Sequence, residues 1–117
     1  SELLPHLPKP SDGHVISTHE FGDFSVNLAR PSGPQRFIKL SLTFIVETPT
    51  NNKLKEILNK SSDLRDEIIT ILNKLAPKDV LKLEGREVLK NILQDHLNTR
   101  LKDDKVRRIL FTRFTVS

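Results

Sequence analysis

A chain of 117 residues, 36% of them apolar, has room for one domain around a single modest core. Cysteine is absent, which excludes disulfide frameworks, thiolate zinc sites and thiol catalysis together while leaving the compartment open. The net charge of +4 is unevenly placed: residues 1–99 hold 13 basic and 13 acidic side chains, whereas residues 100–117 hold six basic ones (Arg100, Lys102, Lys105, Arg107, Arg108, Arg113) against Asp103 and Asp104. A basic end of this kind suits nucleic acid, anionic lipid or an acidic protein surface, although solvation of a terminal loop and strand is the simpler and favoured reading. No apolar run approaches the roughly 20 residues that cross a bilayer. The first residue is serine rather than methionine, which leaves room for an anchor or signal segment upstream.

Residues 1–20 carry Pro5, Pro8 and Pro10 and hold no lasting period, so they read as a linker ahead of a domain at 21–117. A short extended piece at 14–18, alternating about Val15 and Ile16, can lie against that domain. His6, His14 and His19 are spaced by eight and five, which matches no one-face arrangement of metal ligands. Phe24, Val26 and Leu28 alternate with Ser25 and Asn27 as a short strand, and Pro31-Ser32-Gly33-Pro34 is a turn. The turn leads to the longest strand signal in the chain, RFIKLSLTFIVE at 36–47. There Ile38, Leu40, Leu42, Phe44 and Val46 share one face, opposite Lys39, Ser41, Thr43 and Glu47. These two strands are expected to pair as an antiparallel hairpin.

After Pro49 the period changes to that of a helix. Thr50 or Asn51 is the expected N-cap, and Leu54, Ile57, Leu58, Leu64, Ile68, Leu72 and Leu75 form a stripe over 52–75. Ser61-Ser62 offers an alternative break within it, and Pro77 ends it. Asp79 to Leu81 suits a single helical turn. Glu84 opens a second helix with Val88, Leu89, Ile92, Leu93, Leu97 and Leu101 on one face, and Gly85 lets its start lie close to a neighbour. After a polar turn at 102–105, residues 106–116 return to strand character. Val106, Leu110, Phe114 and Val116 are expected toward the core, with Arg107, Ile109, Phe111, Arg113 and Thr115 facing away.

The order strand, strand, helix, helix, strand predicts an α+β fold: a small three-stranded antiparallel sheet with two helices on one face, its last strand beside the long one. The face turned from the helices then carries Phe37, Ile45, Ile109 and Phe111, more apolar area than a lone monomer leaves wet. Either the N-terminal segment covers it through Val15 and Ile16, or another subunit does.

Converging catalytic groups are missing from this pattern. The serines have no histidine and acid context, and the four glycines never take a phosphate-cradling spacing. Asp63, Asp66 and Glu67 beside Arg65 read as a solvated helix face. The expectation is therefore a non-enzymatic protein with no catalytic residue, cofactor or metal. Its main rival is a small single-stranded RNA-binding module, since ILFTRFTVS alternates aromatics with an arginine. That pattern lacks the glycines of the RNA-recognition strand and any GxxG loop, so no nucleic-acid partner is expected.

Five blocks in order carry a resemblance: FSVNLA at 24–29, RFIKLSLTFIVE at 36–47, LRDEIITIL at 64–72, DVLKLEGREVL at 79–89 and VRRILFTRFTVS at 106–117. Together they resemble the periplasmic domain of the FliL family of flagellar basal-body-associated proteins. Arg113 stands where the family often has an acidic residue, so interface charge here differs from relatives. The resemblance implies a fold similar to the stomatin (SPFH) domain and a single N-terminal helix in the bacterial inner membrane, with residues 1–20 as the linker leaving it. It also implies self-assembly into rings around the stator units MotA and MotB, contact with basal-body ring proteins, and support of motility, swarming and sometimes surface sensing. On that reading Phe37, Ile45, Arg107, Arg108, Ile109, Phe111 and Arg113 form the interaction surface. The basic edge would meet acidic helix faces at Glu56, Asp63, Asp66 and Glu67 in a head-to-tail contact.

Overall fold

The computed structural model describes residues 7–29, 33–51 and 53–117. Strands β1 (His14–Asn27), β2 (Phe37–Pro49) and β3 (Lys105–Val116) form one antiparallel sheet in the order β1-β2-β3. Between β2 and β3 the described residues form four helices: α1 (Lys55–Asn59), α2 (Ser61–Asn73), α3 (Pro77–Val80) and α4 (Gly85–Thr99). The fold is thus α+β, and the closing strand lies beside the long one, as expected because a two-stranded ribbon is not stable by itself.

The even positions of β2 build the core. Ile38, Leu40, Leu42, Phe44 and Val46 are buried against Leu64, Ile68 and Leu72 of α2 and Leu89, Leu93 and Leu97 of α4. The helical residues recur every four or so, which lines one face of each helix. Burying each such side chain contributes roughly 1.5–3 kcal/mol, an upper estimate against a compact unfolded chain. Leu58 and Val88, expected in these stripes, are about half exposed. On α4 the buried place beside Leu89 goes instead to Lys90, whose Nζ lies 5.3 Å from the centre of the Phe111 ring. A lysine stem can cover apolar surface in this way.

Three local departures from the expected pattern matter. β1 begins at His14, so the sheet takes in the second part of the segment read as linker; Pro31 and Ser32 of the expected turn lie outside the described residues. The helix expected over 52–75 breaks at Lys60, before Ser61-Ser62. Thr50 does not cap it, because its N–H and Oγ1 both donate to the Gly13 carbonyl, at 2.9 and 2.8 Å. Helix α1 starts instead from Lys53 and Leu54 in the left-handed region, with φ of 53° and 64°.

Gly85 is needed where α3 meets α4. A Cβ there would lie 2.7 Å from the Asp79 carbonyl oxygen and 2.8 Å from that of Val80, and backbone cannot swing aside as a side chain can.

Candidate interaction surface

Two bulges in β3 set the surface. Between Ile45 and Val46 the partner strand steps from Arg108 to Val106, and between Ser41 and Leu42 it steps from Arg113 to Phe111. Arg107 and Thr112 are the extra residues, and each one reverses the in-and-out alternation of the strand. The expectation that Ile109 and Phe111 face away is therefore corrected. Both are buried in the core with Phe44 and Leu42 as register partners, while Leu110 takes the outer side opposite Thr43. A single-period reading of 106–116 has no way to register two inserted residues.

The other two apolar candidates are not an exposed patch either. Ile45 lies on the outer face in the middle strand, flanked by Thr18 and Arg108, and is fully buried. Phe37 is half-buried at the end of β2, with Lys39 Nζ 5.9 Å from its ring centre. Ile16 pairs with Glu47 on this face and is half-buried, whereas Val15 is exposed at a neighbouring register position. The rings of Phe111 and Phe114, which an RNA-reading sheet would offer on its open face, are packed on the helix side.

What the outer face presents is charge and hydroxyls. Arg108 and Arg113 are exposed, opposite Ile45 and Ser41. Ser41 Oγ donates to Asp23 Oδ1 at 2.6 Å, which ties β1 to β2 beside Arg113. Arg107 is already engaged: its guanidinium donates to Glu47 Oε1 at 2.5 Å, and His14 Nδ1 lies 3.0 Å from the other carboxylate oxygen. Burial pushes the Glu47 carboxyl up, but a hydrogen bond from the Ser11 side chain and the charges of Arg107 and His14 outweigh it. Its pKa is held below the ordinary 4.5.

The expected acidic counter-surface divides in two. Asp63 and Asp66 are exposed on α2. Glu67 is bound within the molecule, to Arg100 at 2.6 Å and to His96 Nδ1 at 3.0 Å. Its pKa is pushed up by burial and brought below normal by hydrogen bonds from these two partners.

Glu56 is bound more deeply still. Its carboxylate accepts the backbone N–H groups of Lys102, Asp103 and Asp104, each at 2.8 Å, and the Lys60 Nζ at 3.1 Å. Burial raises its pKa, but these donors prevail and hold it at about 2. The exchange is reciprocal. Asp104 Oδ2 accepts the Ile57 N–H at 3.0 Å in the first turn of α1, and its Oδ1 accepts from Thr48 Oγ1. This is a helix cap supplied from 47 residues away, so no local capping pattern could have revealed it.

These features define a small α+β domain whose open sheet face is charged, with arginines toward β3 and carboxylates toward β1. The chain matches the family described as flagellar basal body-associated protein FliL over residues 18–116, which takes in all three strands and all four helices apart from the start of β1. It is similar to the flagellar protein FliL of Aquifex aeolicus (strain VF5), with 33% identity over 93 residues, 80% of this chain and 56% of that relative. The chain belongs to the FliL family, which is a family of flagellar basal-body accessory proteins and not of enzymes. It spans about half the length of the curated relative it matches. No described helix is long and apolar enough to cross a membrane.

Proposed function

We propose that this chain is the periplasmic part of a flagellar motor accessory protein, held to the bacterial inner membrane by an N-terminal helix and assembling with its own copies around stator units (MotA and MotB) beside the basal body. The observation that carries this reading is the family match, which is continuous over residues 18–116 and so covers nearly the whole fold. On this reading the sheet and helices adopt the stomatin-type arrangement, residues 7–13 lead from the membrane, and contacts with basal-body ring proteins and stators support swimming and swarming. Tethering raises the local concentration of copies, so weak contacts between domains suffice.

The surface assigned to that assembly is smaller and more polar than the sequence suggested. It consists of Arg108 and Arg113 on the exposed side of β3, with Asp63 and Asp66 on α2 of a neighbour as complement. A head-to-tail contact between such unlike patches can close a ring. The test is Arg108→Glu with Arg113→Glu in the membrane-tethered protein, scored by cross-linked assemblies and swim diameter. Both should fall, and Asp63→Lys with Asp66→Lys should restore part of the loss. Unchanged assembly and motility in the doubly reversed protein would remove this surface from the account.

A further inference from the structure

An open three-stranded sheet has two edges with unpaired backbone groups, and α4 treats the edge of β3 unevenly. Phe37 and Ser117 exchange N–H and C=O bonds at 3.0 Å each way, which fixes the residues that pair inward. Alternation then turns the backbone groups of Phe114 and Val116 outward, away from β2. At the opposite end of the strand the outward groups have partners. Asn98 Oδ1 accepts the Val106 N–H at 2.8 Å, its Nδ2 donates to the Val106 carbonyl at 2.9 Å, and Gln94 donates to the Arg107 carbonyl at 3.2 Å. The same row of α4 continues at four-residue spacing to Lys90 and Arg86, whose cations lie over the rings of Phe111 (5.3 Å) and Phe114 (4.6 Å). The helix thus gives strand-like partners to the first residues of the edge and cations to the last ones.

We propose that the 112–116 edge of β3 accepts an acidic extended segment of a partner protein as a fourth strand. Its backbone pairs with Phe114 and Val116, as in other cases of strand addition. Side chains on its helix side meet Arg86, and those on its open side meet Arg113 and, one strand further in, Lys39, all three of them exposed. With cations on both faces of the added strand, carboxylates on either face are matched and a basic strand is repelled. Of the nearby acids, Glu87 is paired with Lys90 at 3.3 Å, while Asp23 accepts the Ser41 hydroxyl at 2.6 Å and keeps its charge on β1, two strands in from this edge. A second copy is the poorer occupant. The other edge of this sheet is β1, which bulges between Glu20 and Gly22 and has its Asp23 carbonyl occupied by the Arg65 guanidinium at 2.5 Å. The proposal concerns how contact with a different, acidic protein is made and does not depend on the assembly proposed above.

The probe is an end-blocked peptide of alternating glutamate and valine, titrated into the isotopically labelled chain while amide exchange is followed. The Phe114 and Val116 amides should become protected, with affinity falling about tenfold as ionic strength rises from about 0.05 to 0.3 M. Arg86→Glu with Arg113→Glu should weaken binding by about tenfold or more. A peptide N-methylated at every residue, which has no N–H to offer on either edge and leaves the protein untouched, should not bind, nor should a lysine–valine peptide. Binding that survives N-methylation, or that leaves those two amides unprotected, overturns the proposal. So does protection that grows with chain concentration in the absence of peptide, which would give the edge to a second copy.

Discussion

The two ends of the sheet are closed by different chemistry. At the end where β2 leaves for α1 and α4 returns to β3, carboxylates do the closing: Glu56 takes three backbone N–H groups of 102–104, and Asp104 takes Ile57 N–H and Thr48 Oγ1. At the other end the backbone closes on itself, through Leu28 to Arg36 (2.9 Å), Ala29 to Leu75 (2.8 Å) and the Phe37–Ser117 pair, with Gln35 as a side-chain addition. The sequence explains the division. The segments 50–55 and 100–105 contain neither glycine nor proline, so the chain reverses there without a preset turn and its orphaned donors need acceptors from elsewhere. The cost of doing without glycine is visible at Lys53 and Leu54, both held at positive φ.

The largest effect should come from removing the carboxylate that closes the first end. Glu56→Ala strips partners from three N–H groups and Lys60, and is expected to destabilise the fold by about 3 kcal/mol in urea denaturation, since bonds to a charged acceptor are strong and their loss leaves donors stranded. The same group gives a pH signature. Its folded pKa of about 2 lies below the ordinary 4.5, so its contribution is complete above pH 4.5 and is lost as pH falls from 4.5 toward 2. Each tenfold strengthening of the acid on folding is worth about 1.4 kcal/mol, so that loss is also about 3 kcal/mol. Glu47 and Glu67, likewise lowered, act in the same sense. In Glu56→Gln the drop in stability between pH 5 and pH 2 should shrink by roughly half or more. An undiminished drop would show that Glu56 does not hold this end.

Why one end was legible in the sequence and the other was not follows from the range of the interactions. Ile38 to Val46 and Leu64, Ile68 and Leu72 announce themselves by period, because burial acts on every second or every fourth residue in a row. The strands and the helical stripes are read that way; β3 goes beside β2 because a two-stranded ribbon is not stable alone, Gly85 is marked by its missing side chain, and the break before Ser61 is only an alternative that the serine pair offers to one long helix. The reciprocal caps could not be read, since Glu56 and Asp104 look like any other exposed acid until residues 47 positions apart meet. The phase of β3 was lost for a different reason. Arg107 and Thr112 are inserted against β2, and an insertion has no signature in the composition of its own strand. The candidate surface suffered most from this, as Ile109 and Phe111 passed from it into the core.

A smaller effect is expected where α4 imitates a strand. Asn98→Ala removes both bonds to Val106 at a half-buried site and should cost about 1–2 kcal/mol, with faster exchange of the Val106 amide as its local mark. Smaller again, and of opposite sign, is Lys53→Gly. Lys53 is exposed at φ 53°, so glycine relieves a left-handed lysine while adding freedom to the unfolded chain. The balance should stabilise by about 0.5 kcal/mol. A loss of stability would mean that the turn into α1 depends on the lysine itself and not on backbone permissiveness.

The smallest effect should fall at the backbone-closed end. Gln35 Nε2 donates to the carbonyls of Leu28 and Arg36, at 3.0 Å each, but Gln35 is exposed and its bond to Arg36 lies at the surface, where water can replace it. The Leu28 to Arg36 backbone bond remains when the side chain is cut, so Gln35→Ala should shift stability by less than about 0.5 kcal/mol. The urea midpoint of this variant set beside that of Asn98→Ala decides the comparison, because each substitution deletes one amide that makes two bonds to backbone. If the two variants lose equal stability, burial does not set the worth of these side-chain amides, and the smaller weight given to the Gln35 end fails with it.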